Sequence, residues 1–600
     1  MIDYKKLGFK CGLELHVQLD THKLFCDCPS QLRFDTPDYT IMRKLTSVAG
    51  EMGEIDVAAK LESAKDKTFI YECYDQNDCL VDIDEEPPHN IDSDALGVAL
   101  QVAFLLNMKI LDEIFVMRKA VVDGSNTAGF QRTALLGEDG HIDTKKGPVR
   151  VNMLSLEEDA GRKMDETDNT VTYRLDRIGI PLIELRTEPD IVSAEHAKET
   201  AQAIGMITRM TKRVARGLGT IRQDVNVSIR GGARTEIKGV QDLKGMGVII
   251  DGEVRRQIHL LAIKDELKAR DVKQSDIVLK KIDVSKLTKN AKQSFIKNSP
   301  VFGTRLFGFA NVLGLEIQKG KRLGTEFSYY AKQYGSVSGI IHSDEDFEKY
   351  GLNKKEIAKK LRVKESDAFV LVAAKEEQAR KALDAVIERA KQCIPGVPLE
   401  VRAAQSDGTT VFLRPIPGKA RMYPETDLEP ITISKDVLAN VKKHLPKKPH
   451  ELQADLEKMG LSKDLALQMV HSRDFILFEQ LAKKFTDAKM IATLVLAGKG
   501  AVERSAYDAL LKAYEKQVLS KEALTDAVPK LLEGEKISDI LAGAKKVGIK
   551  IVEARIKTIA AKNKGKSFAA VMGDVMKEFR GKVDGKTLSE LVKKHVNIKN

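Results

Sequence analysis

The most constraining feature of the chain is an alternating segment, Thr220-Ile-Arg-Gln-Asp-Val-Asn-Val-Ser-Ile-Arg230. Ile221, Val225, Val227 and Ile229 are apolar, whereas Arg222, Asp224, Asn226, Ser228 and Arg230 are polar. Side chains alternate across a strand, so one sheet face collects those five polar residues. Gly231-Gly232 permits a tight turn, and the return run offers Arg234, Glu236 and Lys238 at alternate positions. The pattern recurs near the N-terminus, where Leu13, Leu15, Val17 and Leu19 alternate with Glu14, His16 and Gln18. A solvated outer face of an antiparallel sheet has the same pattern. A histidine on the polar side, two residues from a carboxylate, instead favours metal or phosphate chemistry.

Two further acidic runs fit. Leu156-Glu157-Glu158-Asp159-Ala160-Gly161 ends a strand in three carboxylates, and Glu184 and Arg186 share one side of the strand-like run Ile180–Arg186. Hard oxygen donors suit Mg²⁺, which binds through one or two carboxylates plus substrate phosphates. Clustered carboxylates without a cation would repel one another. Nucleotide-dependent phosphoryl transfer is therefore the expected class of reaction.

With 42% hydrophobic and 31% charged residues, the 600-residue chain can build several cores. Aromatics are 5% and Trp is absent, which argues against a base-stacking platform. Short strands and helices alternate to about residue 290, with a helix expected over 194–216 capped by Ser193. A second mixed block spans about 300–410, with a helix at Lys354–Leu361, a strand at Ala368–Ala374 and a helix at Glu376–Gln392. From about 440 onward nearly every segment reads helical. The net charge of +11 is uneven: residues 541–600 alone carry +10, the footprint of a polyanion partner. The apolar stretch Ala95–Met108 is too short to span a bilayer, and the N-terminus has no apolar leader, so a cytoplasmic protein is expected.

Competing motifs fail. Gly565-Lys566-Ser567 lacks the leading glycine of a P-loop, and neither His-Glu-x-x-His nor Gly-x-Ser-x-Gly occurs. Cys26 and Cys28 with Cys73 and Cys79 could bind zinc. The gap of five residues in the second pair exceeds the usual spacing, so buried thiols are the plainer expectation and a structural zinc is not expected.

Six ordered motifs resemble the GatB/GatE family of tRNA-dependent amidotransferases: Gly12–Leu19, Leu156–Gly161, Pro181–Asp190, Asp224–Ser228, Thr235–Lys238 and Arg421–Leu428. The middle block and overall length are similar to the archaeal GatE branch rather than the shorter bacterial GatB branch. The resemblance implies a multidomain α+β protein. Its mixed α/β cradle (1–298, returning at 413–440) would carry the active site on its strands. Residues 299–412 would be an inserted α+β domain similar to that of bacterial aspartyl-tRNA synthetase. An all-α helical domain (441–527) and a YqeY-like helical tail (528–600) would follow.

It also implies the activity: ATP phosphorylates the γ-carboxylate of Glu carried on tRNA(Gln), and ammonia then displaces the phosphate. The ammonia would come from a GatD-type, asparaginase-like glutaminase subunit in a heterotetramer of two copies of each chain. His16, Glu158 and Glu184 are carried over as Mg²⁺ ligands, with Glu14 beside them. Asp224, Asn226, Ser228, Glu236 and Lys238 fall on the phosphate side with Lys119, and Arg222 would neutralise phosphoryl charge. Lys545, Lys546, Lys550, Lys557, Lys562, Lys564 and Lys566 would contact tRNA phosphates. Two alternatives remain at this point: a non-catalytic tRNA-binding scaffold, and dual use on Asp-tRNA(Asn).

Overall fold

The structure is a computed structural model of the whole chain. It describes all residues except 1, 48–52, 54, 56, 64–65, 218, 417–421, 473, 517, 544–548, 564–566, 580–582, 584 and 596–600. Two compact units divide at Pro446 and Lys447.

The first unit is organised by one large sheet. Ten of its strands, numbered along the chain, are β1 (Lys10–Gln18), β2 (Val116–Ala120), β3 (Phe130–Thr144), β4 (Gly147–Glu158), β5 (Pro181–Thr187), β6 (Ile221–Ser228), β7 (Thr235–Lys238), β8 (Glu400–Ala404), β9 (Thr410–Pro415) and β10 (Met422–Pro424). Their order is β9-β8-β7-β6-β1-β5-β4-β3-β2-β10, and the short strand Lys109–Ile110 adds to β3. Every pairing in it is antiparallel except β7 with β8. The N-terminal strand thus lies in the middle, between β5 and β6.

One face of this sheet is apolar. Leu13, Leu15 and Val17 of β1 are buried with Val225 and Val227 of β6 and Ile183 and Leu185 of β5. The helices Ser93–Leu105 and Ala194–Met210 and the first half of Met246–Ala269 pack on it, contributing Val98, Ala201, Ile204 and Ile250. Ser193 caps Ala194–Met210 as expected, accepting from the His196 amide. The helix stops earlier than the expected 216, because Lys212 takes a left-handed φ of 61° and Ala215 donates back to the Gln18 carbonyl.

Between β7 and β8 the chain builds a second mixed layer. Its sheet runs Ile282–Asp283, Val301–Leu306, Ala368–Ala373, Ile341–His342. Helices Leu323–Gly335 and Glu376–Gln392 cover one face, and residues 284–296 and 347–361 cover the other. The helix Met246–Ala269 serves both layers: Ile249, Ile250 and Val254 join the first core, and Leu260, Ile263 and Leu267 the second.

A fully buried charge cluster locks the two layers together. Arg256, Glu326, Glu400 and Arg402 are each at most 1% exposed. Arg402 grips both oxygens of Glu326 at 2.8 and 2.9 Å. Arg256 reaches Glu326 at 3.1 Å and also bonds Glu400. Burial alone would raise the Glu326 carboxyl, but Arg402, Arg256 and Arg389 hold it far below its ordinary range.

The second unit is helical among its described residues, from Pro449–Lys458 to Ile537–Gly543. A three-helix end piece follows, Ile549–Lys562, Phe568–Phe579 and Gly585–His595, with its own core of Val552, Ile556, Val575, Leu588 and Val592. Among the described residues no helix is long and apolar enough to cross a membrane.

Removing one partner from a buried ion cluster strands the others without water. Glu326→Ala should therefore lower the stability of the first unit by about 3–5 kcal/mol, measured as the urea midpoint of its unfolding transition.

Candidate active site

The polar face of the central strands forms a cleft of about 600 Å³. The register of β1 builds its floor: Glu14 lies opposite Arg186 on β5 and Asp224 on β6, and His16 opposite Glu184 and Arg222. Asn226 faces Gly12 on one side and Glu236 on the other. Gly12 suits this place, since a Cβ there would come within 3.2 Å of the Thr187 carbonyl. Glu14, His16, Asn226, Ser228, Glu236 and Lys238 thus line one cleft rather than an open solvated surface, whereas Gln18 is buried against Asp159 and Arg230 lies past the end of β6 beside Gly8.

Carboxylates and cations interlock there. Arg186 pairs with Glu14 at 3.0 Å and Glu184 at 2.6 Å. Lys238 bonds Asp224 at 2.6 Å and pairs with Glu236 at 3.0 Å. Lys119 bonds Glu157 at 2.5 Å and lies 3.7 Å from Glu184. Lys10, Arg234 and Arg414, with Ser228, line the wall.

Glu14, His16 and Glu184 each offer a donor atom, and all three atoms lie within 4.8 Å of one another. This set fits a hard divalent cation. The buried Glu184 Oε1 accepts no hydrogen bond of sound geometry, although the Arg186 guanidinium approaches it. Burial lowers His16 to about 4, so at neutral pH its imidazole is uncharged and able to ligate. Burial, with Glu184 nearby, pushes Glu14 up to about 7. Burial also pushes Glu157 up to about 8, with Glu184 adding to it and Lys119 opposing. Glu184 goes the other way: burial would raise it, but Lys119 and a hydrogen bond with Glu157 hold it well below the usual range.

Glu158 does not join this group. It lies beyond the sheet's other face, accepts from the Arg132 amide at 2.8 Å and pairs with the Arg132 side chain. Arg132 in turn bonds the buried Glu425 at 2.8 Å. The carboxylate that faces the cluster is its neighbour Glu157, 3.9 Å from His16. The reason is a bulge. Arg186 pairs with Met153 but Thr187 with Val151, so Asn152 is an extra residue on β4. Parity counted from Val149 and Val151 is reversed beyond it, turning Leu154 and Leu156 to the core and Glu157 to the cleft. Asp159, the third acid of the run, is buried and anchors Arg222 at 2.8 Å and Gln18 at 2.6 Å.

The cysteines also group differently from expectation. Cys26, Cys28, Cys79 and Asp82 bring their donor atoms within 4.8 Å of one another. Cys73 is excluded, being buried among Tyr71, Tyr173 and Val171. The spacing of Cys73 to Cys79 is therefore irrelevant, and Asp82 supplies the fourth donor. Lys23, itself fully buried, holds Asp82 at 3.0 Å. Three thiols and a carboxylate fit a tetrahedral zinc ion.

In the end piece, Lys550, Lys557 and Lys562 stand exposed on the helix Ile549–Lys562. Lys545, Lys546, Lys564 and Lys566 lie outside the described residues, as does Arg421 of the last motif.

The proton balance of the cleft has a measurable sign. Glu14 and Glu157 sit above the ordinary carboxylate value when folded. The metal-free fold therefore binds protons that the unfolded chain has released, and loses stability as pH rises through about 7 and 8. The lowered His16 acts oppositely, but its contribution is complete once pH exceeds the ordinary 6.5. Between pH 6.5 and 8 the thermal midpoint of the metal-free chain should fall, and Mg²⁺ should flatten that decline.

Comparison with known proteins places this geometry. The GatB/GatE catalytic-domain family profile matches residues 9–439. The chain is 45% identical to a Methanocaldococcus jannaschii protein named as the E-type subunit of glutamyl-tRNA(Gln) amidotransferase, over 99% of both chains. It is 43% identical to the proteins of that name from Methanococcus maripaludis strain S2, covering 100% of this chain and 99% of the relative, and from Archaeoglobus fulgidus, covering 99% of each. The likeness runs through both units, and the profile spans every residue brought together in the cleft, so the chain belongs to the GatB/GatE family.

Proposed function

We propose that this chain is the ATP-dependent, tRNA-binding subunit of a glutamyl-tRNA(Gln) amidotransferase. The observation that carries the reading is the donor trio Glu14, His16 and Glu184 on the floor of a cleft walled by Lys10, Arg234, Lys238 and Arg414. A hard-cation site inside a ring of basic side chains suits a nucleotide polyphosphate. Glu14, His16 and Glu184 would hold Mg²⁺, which would supply positive charge to the phosphate oxygens.

A carboxylate is a poor acyl donor. An oxygen of the esterified glutamate's γ-carboxylate attacks the terminal phosphorus of ATP, and the bond to ADP breaks. Ammonia then attacks the acyl carbon, the carbon–oxygen bond to phosphate breaks, and the nitrogen sheds a proton to give the amide. Lys119, Lys238 and Arg222 would supply cations to the transferred phosphoryl group, and Asp159 fixes the direction of Arg222. Asp224, Glu236, Asn226 and Ser228 orient Lys238 and the nucleotide side of the cleft. The ammonia source is a separate GatD-type glutaminase, paired with this chain in a heterotetramer. Cys26, Cys28, Cys79 and Asp82 hold zinc in a structural role.

The end piece serves RNA through exposed lysines on a module with its own core, which suits contact with phosphates rather than bases. A binding scaffold without chemistry would have no use for the buried acid and histidine cluster, and that separates the readings. In Glu184→Gln and Glu184→Ala, ADP release stimulated by glutamyl-tRNA should drop at least a hundredfold while tRNA binding persists; undiminished release would leave only the scaffold. Deletion of residues 544–600 should weaken tRNA binding and flatten its salt dependence, read by titration at several salt concentrations.

A further inference from the structure

The inserted layer between β7 and β8 carries a charge excess that no sum over the chain reveals. Residues 280–300 hold six lysines and one acid, Asp283; residues 349–364 hold six lysines, Arg362 and one acid, Glu356. The fold places these two segments side by side. Val284, Ala291 and Ile296 of the first share a core with Leu352, Ile357 and Leu361 of the second, against Val301, Phe369 and Leu371 of the sheet. The Lys292 amide donates to the Tyr350 carbonyl and Gln293 to the Lys349 carbonyl. Their apolar sides point inward, so the lysines point out. Lys286, Lys289, Lys292 and Lys297 are exposed, as are Lys354, Lys355, Lys359, Lys360, Arg362 and Lys364.

Few of these cations are neutralised. Lys281 pairs with Glu376 and Lys349 with Glu345, and Lys292 donates to the Glu348 carbonyl. Among the described residues the others make no ion pair. The two acids of the segments are satisfied by neutral groups. Ser285 bonds Asp283 through its amide and hydroxyl, and Asn353 bonds Glu356 at 3.0 Å. Lys286 and Lys360, one from each segment, both lie near enough to help hold Asp283 below its ordinary range, after the Ser285 bonds.

We propose that this lysine layer is a second RNA-backbone contact surface, separate from the terminal module and from the catalytic cleft. Uncompensated like charge destabilises a compact fold by self-repulsion, and a polyanion removes that cost. The surface is built from exposed lysine point charges spread over two segments, which suits phosphates spread along a helix rather than a small anion held by one group. The inference rests on the reading above in one respect, that the substrate carries RNA.

The test uses the full chain. Two variants, one with Lys354, Lys355, Lys359 and Lys360 changed to Gln and one with Lys286, Lys289 and Lys297 changed to Gln, are titrated with the tRNA substrate over a series of salt concentrations. Each should bind more weakly, and the slope of log affinity against log salt should fall by about 2–3. The half-saturating tRNA concentration for ADP release should rise in parallel. Thermal midpoints within a degree or two of the parent chain would show that folding is intact. Affinity and slope equal to the parent's would overturn the proposal, as would loss of a co-purifying protein partner with RNA affinity retained. If the unmodified chain binds tRNA yet never releases ADP in response to the charged form, the functional reading fails while the slope comparison still decides this one.

Discussion

The register of one strand decides where everything else in the first unit can go. β1 lies between β5 and β6, and its odd-numbered residues are sealed in the core, with Leu15 and Val17 fully buried. Slipping it by one position would drive Glu14 and His16 into the apolar layer and lift Leu15 and Val17 into the cleft. Burial of that apolar row thus enforces the alignment that sets His16 beside Glu184 and Arg222. The cleft inherits its precision from the hydrophobic side of the sheet, which has no chemistry of its own.

That dependence explains which parts of the site were legible in the sequence. Strands with apolar residues on one parity, such as β1 and β6, declare their polar face directly. Asn226, Glu236 and Lys238 follow from the same count. Glu158 rests on the resemblance alone, and a count from its neighbours Leu154 and Leu156, beyond the bulge at Asn152, puts Glu157 on the polar parity and Glu158 on the core side. The cysteine cluster is silent in the sequence. Asp82 joins Cys26, Cys28 and Cys79 because it shares a turn with Cys79, whose amide donates to its carboxylate, whereas the eye is led by spacing to Cys73. Ligand sets built from chain spacing work when one hairpin supplies them, and this one is assembled across fifty residues.

At the level of the fold, amphipathic elements announced themselves well. The helix Glu376–Gln392 begins and ends where its apolar row and following prolines place it. Charges were the poorer guide. Arg256, Glu326, Glu400 and Arg402 look like surface residues in the sequence, yet they form the buried seam between two layers, because each finds an opposite partner that replaces water. The converse holds for the outer layer of the insert, whose lysines vanish in the nearly neutral sum over the first 430 residues. Electrostatics is decided by three-dimensional neighbours, and composition averages over them.

The single parallel pairing of the large sheet, β7 against β8, has a topological meaning. Glu236 lies opposite Val401, so the backbone leaves the sheet at Lys238 and re-enters one strand-width away. All residues from 239 to 399 therefore constitute one crossover loop, however elaborate. Only its outer part, beyond the helix Met246–Ala269, could be lengthened or exchanged without disturbing the strands around β1, because Ile249, Ile250 and Val254 of the crossover belong to the core beneath them. A shortened chain would have to keep that helix and a connection long enough to join two parallel strands. The catalytic floor and its large appendage thus share one helix, and the outer layers are free to vary around it.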